Sequence, residues 1–308
     1  MVSPNVTKEV ALIVGPTASG KSALALELAK KQASVVINAD SAQVYKDLEV
    51  LSARPSLAEM DGIPHELYGY IDGADACSAA RWAEDAKNAI ATAHQSGVRP
   101  ILVGGTGLYI QTLLDGISPI PAIDPKIRQS VRQLETFETY EALKIEDSKA
   151  ASRLNPNDQS RLQRALEVIR STGKPLKYWH KHKIGGIKDE IHLKPLVLLP
   201  PREWIYQRCD RRFNIMLEDG AIEEVRALLK RDLDEDRPIM RAIGVPEIQA
   251  LLLGSMDRDT AIEQAQKATR RYAKRQYTWF RNQSPTSWRQ YLEEINVENI
   301  KDIVTLFQ

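Results

Sequence analysis

The residues with the clearest chemical meaning are Gly15, Pro16, Thr17, Ala18, Ser19, Gly20, Lys21 and Ser22, which spell G-x-x-x-x-G-K-S directly after the apolar run 10–14. Glycines at fixed positions let the backbone turn its N–H groups inward toward oxyanions, and a helix starting at the end of the loop adds the positive pole of its dipole. Lys21 adds a full charge, and Ser22 a hydroxyl suited to a magnesium ion. Such a loop usually holds the phosphates of ATP or GTP, and an enzyme of that kind also needs an acid at the end of an apolar strand. Asp40 closes the run "VVINAD" and meets that need, with "SAQVY" following it at once. The run "ILVGG" offers no acid and ends on Thr106, set between glycines. Against these roles stands the plainer use of Asp in turns and helix caps.

A diphosphate cradle, one carboxylate and one hydroxyl suit two chemistries. In phosphoryl transfer, Asp40 acts as base toward an acceptor hydroxyl, with magnesium and arginines on the leaving side. In alkyl transfer from a diphosphate ester, the diphosphate leaves as a unit and Asp40 takes a proton from the incoming nucleophile. The motif mechanics fit both.

Either chemistry needs strand ends side by side. Residues 10–14, residues 35–38 and "RPILVGG" after Gly97 read as short buried strands. Residues 21–31 and "SAARWAEDAKNAIATAHQSG" read as helices, the second capped by Ser78 and closed by Gly97. This alternation predicts an α/β fold with a P-loop type parallel sheet covered by helices on both faces. Ligands of such sheets bind beyond the carboxyl ends of the strands, which brings the loop, Asp40 and Thr106 to one cleft. The proline-rich "SPIPAIDP" after Ile117 changes the pattern, and an all-helical insert is expected over 117–191, with the core formed by 1–116 plus 192–308. "HLKPLVLLP" restores a strand, and helices run from there almost to the end of the chain.

A chain of 308 residues can build such a core with a smaller unit attached. No apolar run approaches the ~20 residues of a membrane span, and no basic region with an apolar stretch opens the chain. Cys77 and Cys209 have neither disulfide nor zinc-ligand spacing. A cytoplasmic monomer with no membrane partner is expected. The net charge of +1 makes no case for nucleic acid, but local clusters do. Lys267, Arg270, Arg271, Lys274, Arg275 and Arg281 have no acidic neighbour, and at ~100° per residue they share about 140° of one helix face. Ala265, Ala268, Tyr272 and Trp279 lie opposite and are expected to pack on the core. In the insert, Arg161 and Arg164 point away from Leu162, Leu166 and Ile169 on a helix capped by Asn157 or Asp158. "KYWHKHK" adds cations beside aromatics, a mix suited to stacking on unpaired bases.

The pieces "GPTASGKS", "ADSAQVYKDL", "RPILVGGTGLYI", "NPNDQSRLQRALEV", "RRFNIMLEDGAIEEV", "IMRAIG" and "ATRRYAKRQYTWFRNQ", in this order, resemble the tRNA dimethylallyltransferases, also called tRNA isopentenyltransferases, over most of the chain. The resemblance implies transfer of a dimethylallyl group from dimethylallyl diphosphate to N6 of the adenosine 3′-adjacent to a tRNA anticodon, position 37, with Mg2+ assisting. It implies that Asp40 is the base, that Thr106 bonds the bridging oxygen of the leaving group, and that residues 15–22 with Arg208 and Arg212 hold the diphosphate. Ser22 would stand near the metal. Ser41, Ala42 and Gln43 would hold the flipped nucleotide. Arg128 and the run Gln159, Ser160, Arg161, Leu162, Gln163 and Arg164 would contact the anticodon stem-loop. The sequence departs from the family at "SARP" in place of Thr-Ala-Lys-Pro, at Asn155 in place of His, and at Val245-Pro246 in place of Tyr-Lys. The absence of a C-terminal zinc finger fits a bacterial or organellar member. The alternatives are a prenyltransferase using free AMP or ADP, a P-loop nucleotide kinase, and a non-catalytic RNA-binding protein.

Overall fold

The computed structural model describes residues 8–307. Six strands, β1 (Glu9–Val14), β2 (Ser34–Asn38), β3 (His65–Glu66), β4 (Arg99–Gly104), β5 (His192–Leu198) and β6 (Arg289–Tyr291), form one sheet in the order β3-β2-β4-β1-β5-β6. Every pairing in this sheet is parallel, and the four inner strands β2, β4, β1 and β5 are the short apolar runs. The alternation of side chains along β1 divides the core: Val10, Leu12 and Val14 face one layer, Ala11 and Ile13 the other.

The second layer is small. It holds α1 (Lys21–Ala29) and a C-terminal helix over Ile300–Val304. The first layer holds α2 (Ala79–Gln95), α3 (Gly107–Asp115) and the helices between β5 and β6. Ser78 caps α2 by accepting from the Arg81 N–H at 3.1 Å, and Gly97 takes the left-handed conformation beyond its end. The α/β reading with helices on both faces therefore holds. The edge strands β3 and β6 were not visible in the sequence, since two or three residues carry no readable period.

Asp115–Gly186 forms a compact unit of its own. It contains α4 (Pro125–Arg132), α5 (Thr136–Glu146), α6 (Ser148–Ala151), α7 (Gln159–Thr172) and α8 (Leu176–Trp179), closed over a core of Val131, Leu143, Leu162 and Leu166. Ile117 and Ile184 exchange two backbone hydrogen bonds of 3.0 Å that join its two ends. Asp158 caps α7 by accepting from the Arg161 N–H at 3.2 Å. The insert ends earlier than the expected 191, because Ile187 and Lys188 donate to the carbonyls of Leu113 and Leu114 at the end of α3 and Ile187 is buried in the sheet core.

After β5 come α9 (Arg202–Glu218), α10 (Ala221–Leu229), α11 (Val245–Leu252), α12 (Arg258–Gln283) and the C-terminal α13 (Ile300–Val304). Along α12 the buried positions are Ala261, Ala265, Ala273, Gln276 and Phe280. The expected core face is corrected here: Ala265 is buried, but Ala268 and Tyr272 are only half-buried, because the true inward face lies round the helix and includes a glutamine.

Candidate active site

The loop 15–22 leaves β1 and feeds α1, so its residues stand at the carboxyl edge of the sheet. Lys21 folds back along it, and Nζ donates to the Pro16 carbonyl at 2.6 Å. Burial pulls the Lys21 pKa down to about 8, opposed in part by the negative charge of Asp40. Two arginines reach the loop from α9: Arg212 Nη2 donates to Thr17 Oγ1 at 2.5 Å, and Arg208 Nε donates to the Ala18 carbonyl at 3.0 Å. The Arg208 guanidinium also lies 4.5 Å from the Trp204 ring centroid, a cation–π contact. Ser19 Oγ is fully buried and has no hydrogen-bond partner among the described residues. Three cations and an unpaired hydroxyl thus surround one loop, a setting whose chemistry suits an anion.

Asp40 sits just past β2 and is held from below. Asn38, fully buried, accepts from the Asp40 N–H at 2.8 Å and donates to the Asp40 and Leu67 carbonyls at 3.0 Å each. Trp82 Nε1 donates to the Asn38 carbonyl at 2.8 Å. One carboxylate oxygen of Asp40 accepts from the Ala42 N–H at 3.0 Å, an Asx turn that aims the side chain. Thr106 arrives from β4. A Cβ on Gly104 would lie 2.1 Å from the Ala39 carbonyl, so only glycine lets the end of β4 close on the end of β2. Thr106 Oγ1 accepts from the Ser41 N–H at 2.9 Å and donates to Ser41 Oγ at 3.2 Å. The loop, Asp40 and Thr106 thus share one edge of the sheet.

Two cavities open there. One, of about 450 Å³, is lined by Thr17 to Ser22, Arg208, Arg212 and Asp40. The other, of about 320 Å³, is walled by Leu48, Leu51, Phe213 and Met216 and carries Asp40, Ser41, Ala42 and Tyr45. Asp40, Thr17, Ser52 and Arg212 line both. Gln43 falls apart from Ser41 and Ala42: it lines only the anion cavity, and its Nε2 donates to the carbonyls of Ser52 and Ala53 at 3.2 and 2.6 Å. No group of three or more His, Cys, Asp or Glu that could hold a metal ion occurs among the described residues. A magnesium ion here would rest on Ser22 and on substrate oxygens, a donor set that fits, since Mg2+ is commonly held by one or two protein oxygens with phosphates and water.

The family model described as IPP transferase matches residues 43–283. The chain belongs to the IPP transferase family. Among curated relatives, the tRNA dimethylallyltransferase of Sphingopyxis alaskensis is 56% identical over 295 residues, covering 96% of each chain. That of Erythrobacter litoralis is 60% identical over 284 residues, covering 91% of this chain and 90% of its own. Among solved structures, the tRNA isopentenylpyrophosphate transferase of Bacillus halodurans is 32% identical with a TM-score of 0.70, over 97% of this chain and 95% of that one. A eukaryotic dimethylallyltransferase acting on tRNA is 32% identical with a TM-score of 0.77, over 89% and 70% of the two chains.

Two residues near the site, Asn38 and Tyr272, carry no such role in the sequence reading. Asn38 gave one signal, as the polar residue ending an otherwise apolar strand. Tyr272 lines the second cavity beside Asp40. Burial raises its phenol pKa above the ordinary value, with Asp40 adding, while hydrogen bonding to Thr106 and Ser41 works the other way. It therefore stays protonated. Of the basic run on α12, Arg270 is spent on Asp210, at 2.6 and 2.7 Å from its two carboxylate oxygens. Lys267, Arg271, Lys274, Arg275 and Arg281 remain exposed.

In the insert, Leu162 is fully buried among Val131, Leu143 and Leu166, so its side chain is corrected from RNA contact to core. Gln163 and Gln159 reach back to the carbonyls of Val131 and Leu134, each at 3.5 Å. Ser160 and Arg161 are exposed. Arg128, Arg132 and Arg164 stand 4.0, 3.5 and 3.6 Å from the carboxylate of Glu167, which is itself 5% exposed. A single acid thus gathers three arginines and leaves a surplus of positive charge. Tyr178 lies edge-on to Trp179, with Lys174 Nζ 4.2 Å from its ring centroid.

Proposed function

We propose that this chain, a cytoplasmic monomer, transfers a dimethylallyl group from dimethylallyl diphosphate to N6 of the adenosine 3′-adjacent to the anticodon of tRNA. The observation that carries this reading is Asp40 lining two cavities at once, one cationic and one largely apolar. A base in that position faces an acceptor on one side and a leaving group on the other. The bond from the prenyl carbon to the diphosphate oxygen breaks, the bond from that carbon to N6 forms, and the N6 proton goes to Asp40. Lys21, Arg208, Arg212 and the loop N–H groups take up the charge that develops on the diphosphate, with Thr106 at its bridging oxygen. Ser22 would hold a Mg2+ ion beside the diphosphate, and the ion would supply further positive charge there. Ser41, Ala42 and Tyr272 line the acceptor side. The surfaces offered to the stem-loop are Arg128, Arg132, Arg161 and Arg164 in the insert, and the exposed cations of α12.

The test is a comparison of acceptors. With labelled dimethylallyl diphosphate and Mg2+, label enters tRNA and not AMP or ADP. Label in the free nucleotide alone overturns the tRNA reading, and ATP-dependent phosphorylation of a small acceptor overturns the transfer of a prenyl group.

Lys21 gives the diphosphate site a pH dependence of definite sign. With its pKa near 8, the ammonium is present below that value and lost above it. A bound polyanion needs the charged form, so affinity for inorganic diphosphate falls up to about tenfold per pH unit above that pKa. Calorimetric titrations between pH 7 and 9.5, taken as the difference from Lys21→Met to remove the ionisation of the ligand itself, measure this. A flat difference would show that Lys21 does not sense the anion.

A further inference from the structure

Two of the sequence motifs, "GGTGLY" and "RQYTWFR", meet in the core, and apart from Thr106 neither has a part in the chemistry described so far. Gln276 in the second is 5% exposed, an expensive place for an amide unless both its ends are bonded. They are. Its Oε1 accepts from the Thr17 N–H at 2.7 Å, and its Nε2 donates to the Gly105 carbonyl at 3.0 Å. These partners lie 259 and 171 residues away along the chain. One belongs to the phosphate loop and the other precedes Thr106.

The fit is close on the strand side as well. A Cβ on Gly105 would lie 2.2 Å from Gln276 Nε2, and one on Gly107 would lie 2.3 Å from Trp279 Cδ2. Gln276 and Trp279 are three residues apart and so lie on one face of α12. They occupy the space that side chains would need at the two glycines flanking Thr106.

We propose that Gln276 is a positioning residue whose single amide sets the separation between the diphosphate cradle and Thr106. This rests on the transfer reaction proposed above. Thr17 is held from two helices, by Arg212 of α9 at its hydroxyl and by Gln276 of α12 at its N–H. Thr106 is fixed by Gln276 through Gly105 and by Ser41 through its hydroxyl. Loosening the amide leaves the cations of the loop in place, so the diphosphate still binds, but its bridging oxygen no longer meets Thr106 in a fixed geometry. Displacements of ~1 Å of this kind can cost about 100-fold in rate.

The test is Gln276→Met, which keeps the length of the side chain and removes both bonds. The expected result is a kcat for tRNA prenylation lowered about 10- to 100-fold, with KM for tRNA within about twofold of wild type. Hydrogen exchange of the peptide containing Thr17 speeds up while sheet amides stay protected. Gln266→Met serves as control: Gln266 lies on the same helix and ties it to α9 through the Asp210 carbonyl and Asn214 Oδ1, at 3.2 Å each. It keeps the wild-type kcat.

A kcat for Gln276→Met within about threefold of wild type overturns the proposal, as does an equal loss in Gln266→Met. If Gln276→Met fails to fold, Gly105→Ala displaces the amide from the other side and must reproduce the kcat loss; a wild-type kcat there also overturns it. A wild-type enzyme that prenylates no tRNA refutes the reaction instead. The exchange rate of the Thr17 amide then decides the tie by itself, unchanged exchange in Gln276→Met overturning it.

Discussion

Asp40→Asn lowers the rate of prenyl transfer in a single turnover by about 10²- to 10⁴-fold, the usual worth of a positioned general base. The substitution is close to isosteric. Asn retains an oxygen to accept from the Ala42 N–H, and Asn38 grips Asp40 through the backbone, which the change does not touch. The fold and the binding of tRNA are therefore expected to survive. A second effect follows from charge. Asp40 raises the Lys21 pKa against the pull of burial, so its removal moves the alkaline loss of diphosphate affinity to lower pH. Quench-flow transfer measured beside tRNA binding separates these effects. A transfer rate within about threefold of wild type would remove Asp40 from the role of base.

Lys21→Met lowers kcat/KM for dimethylallyl diphosphate by about 10²- to 10³-fold, because it deletes a cation aimed at charge that grows as the diphosphate leaves. Stability moves the other way. The folded protein holds Lys21 near a pKa of 8, below its ordinary 10.5, so burial of the ammonium opposes folding at any pH below about 8. That cost fades as pH rises through 8 toward 10.5. At pH 7 the methionine variant is thus expected to melt at or above the wild-type temperature while its catalysis is crippled. A lower melting temperature at pH 7, equal in size to that seen at pH 10, would show that the lysine stabilises the fold and would remove the argument from burial.

Much of this was legible in the residues. The apolar runs at β1, β2, β4 and β5 are long enough to show a buried parallel sheet, and the spacing of glycines and lysine after β1 marks the loop that the structure sets at the sheet's carboxyl edge. What escaped were features in which one residue answers another far along the chain. Gln276 looks, in sequence, like one more polar residue among cations. Its burial depends on Thr17 and Gly105, which no local period reveals. Tyr272 was assigned to the core because its helical position is nearly right. About a quarter turn separates the face read from the sequence from the face that Ala273, Gln276 and Phe280 present, and Tyr272 falls in that gap, where the cavity is. Leu162 shows the opposite limit: family resemblance names a stretch, and the helix then divides it into residues that look outward and one that does not.

The hydrogen-bonded pair Ile117 and Ile184 has an architectural consequence. The pair closes the base of the unit Asp115–Gly186, which is thus a cassette within the sequence. Lengthening or trimming a helix inside the cassette leaves β4 and β5, and the cradle between them, where they were. The unit proposed to meet a large and varied nucleic acid is thereby free to change shape without retuning the part proposed to break the prenyl bond.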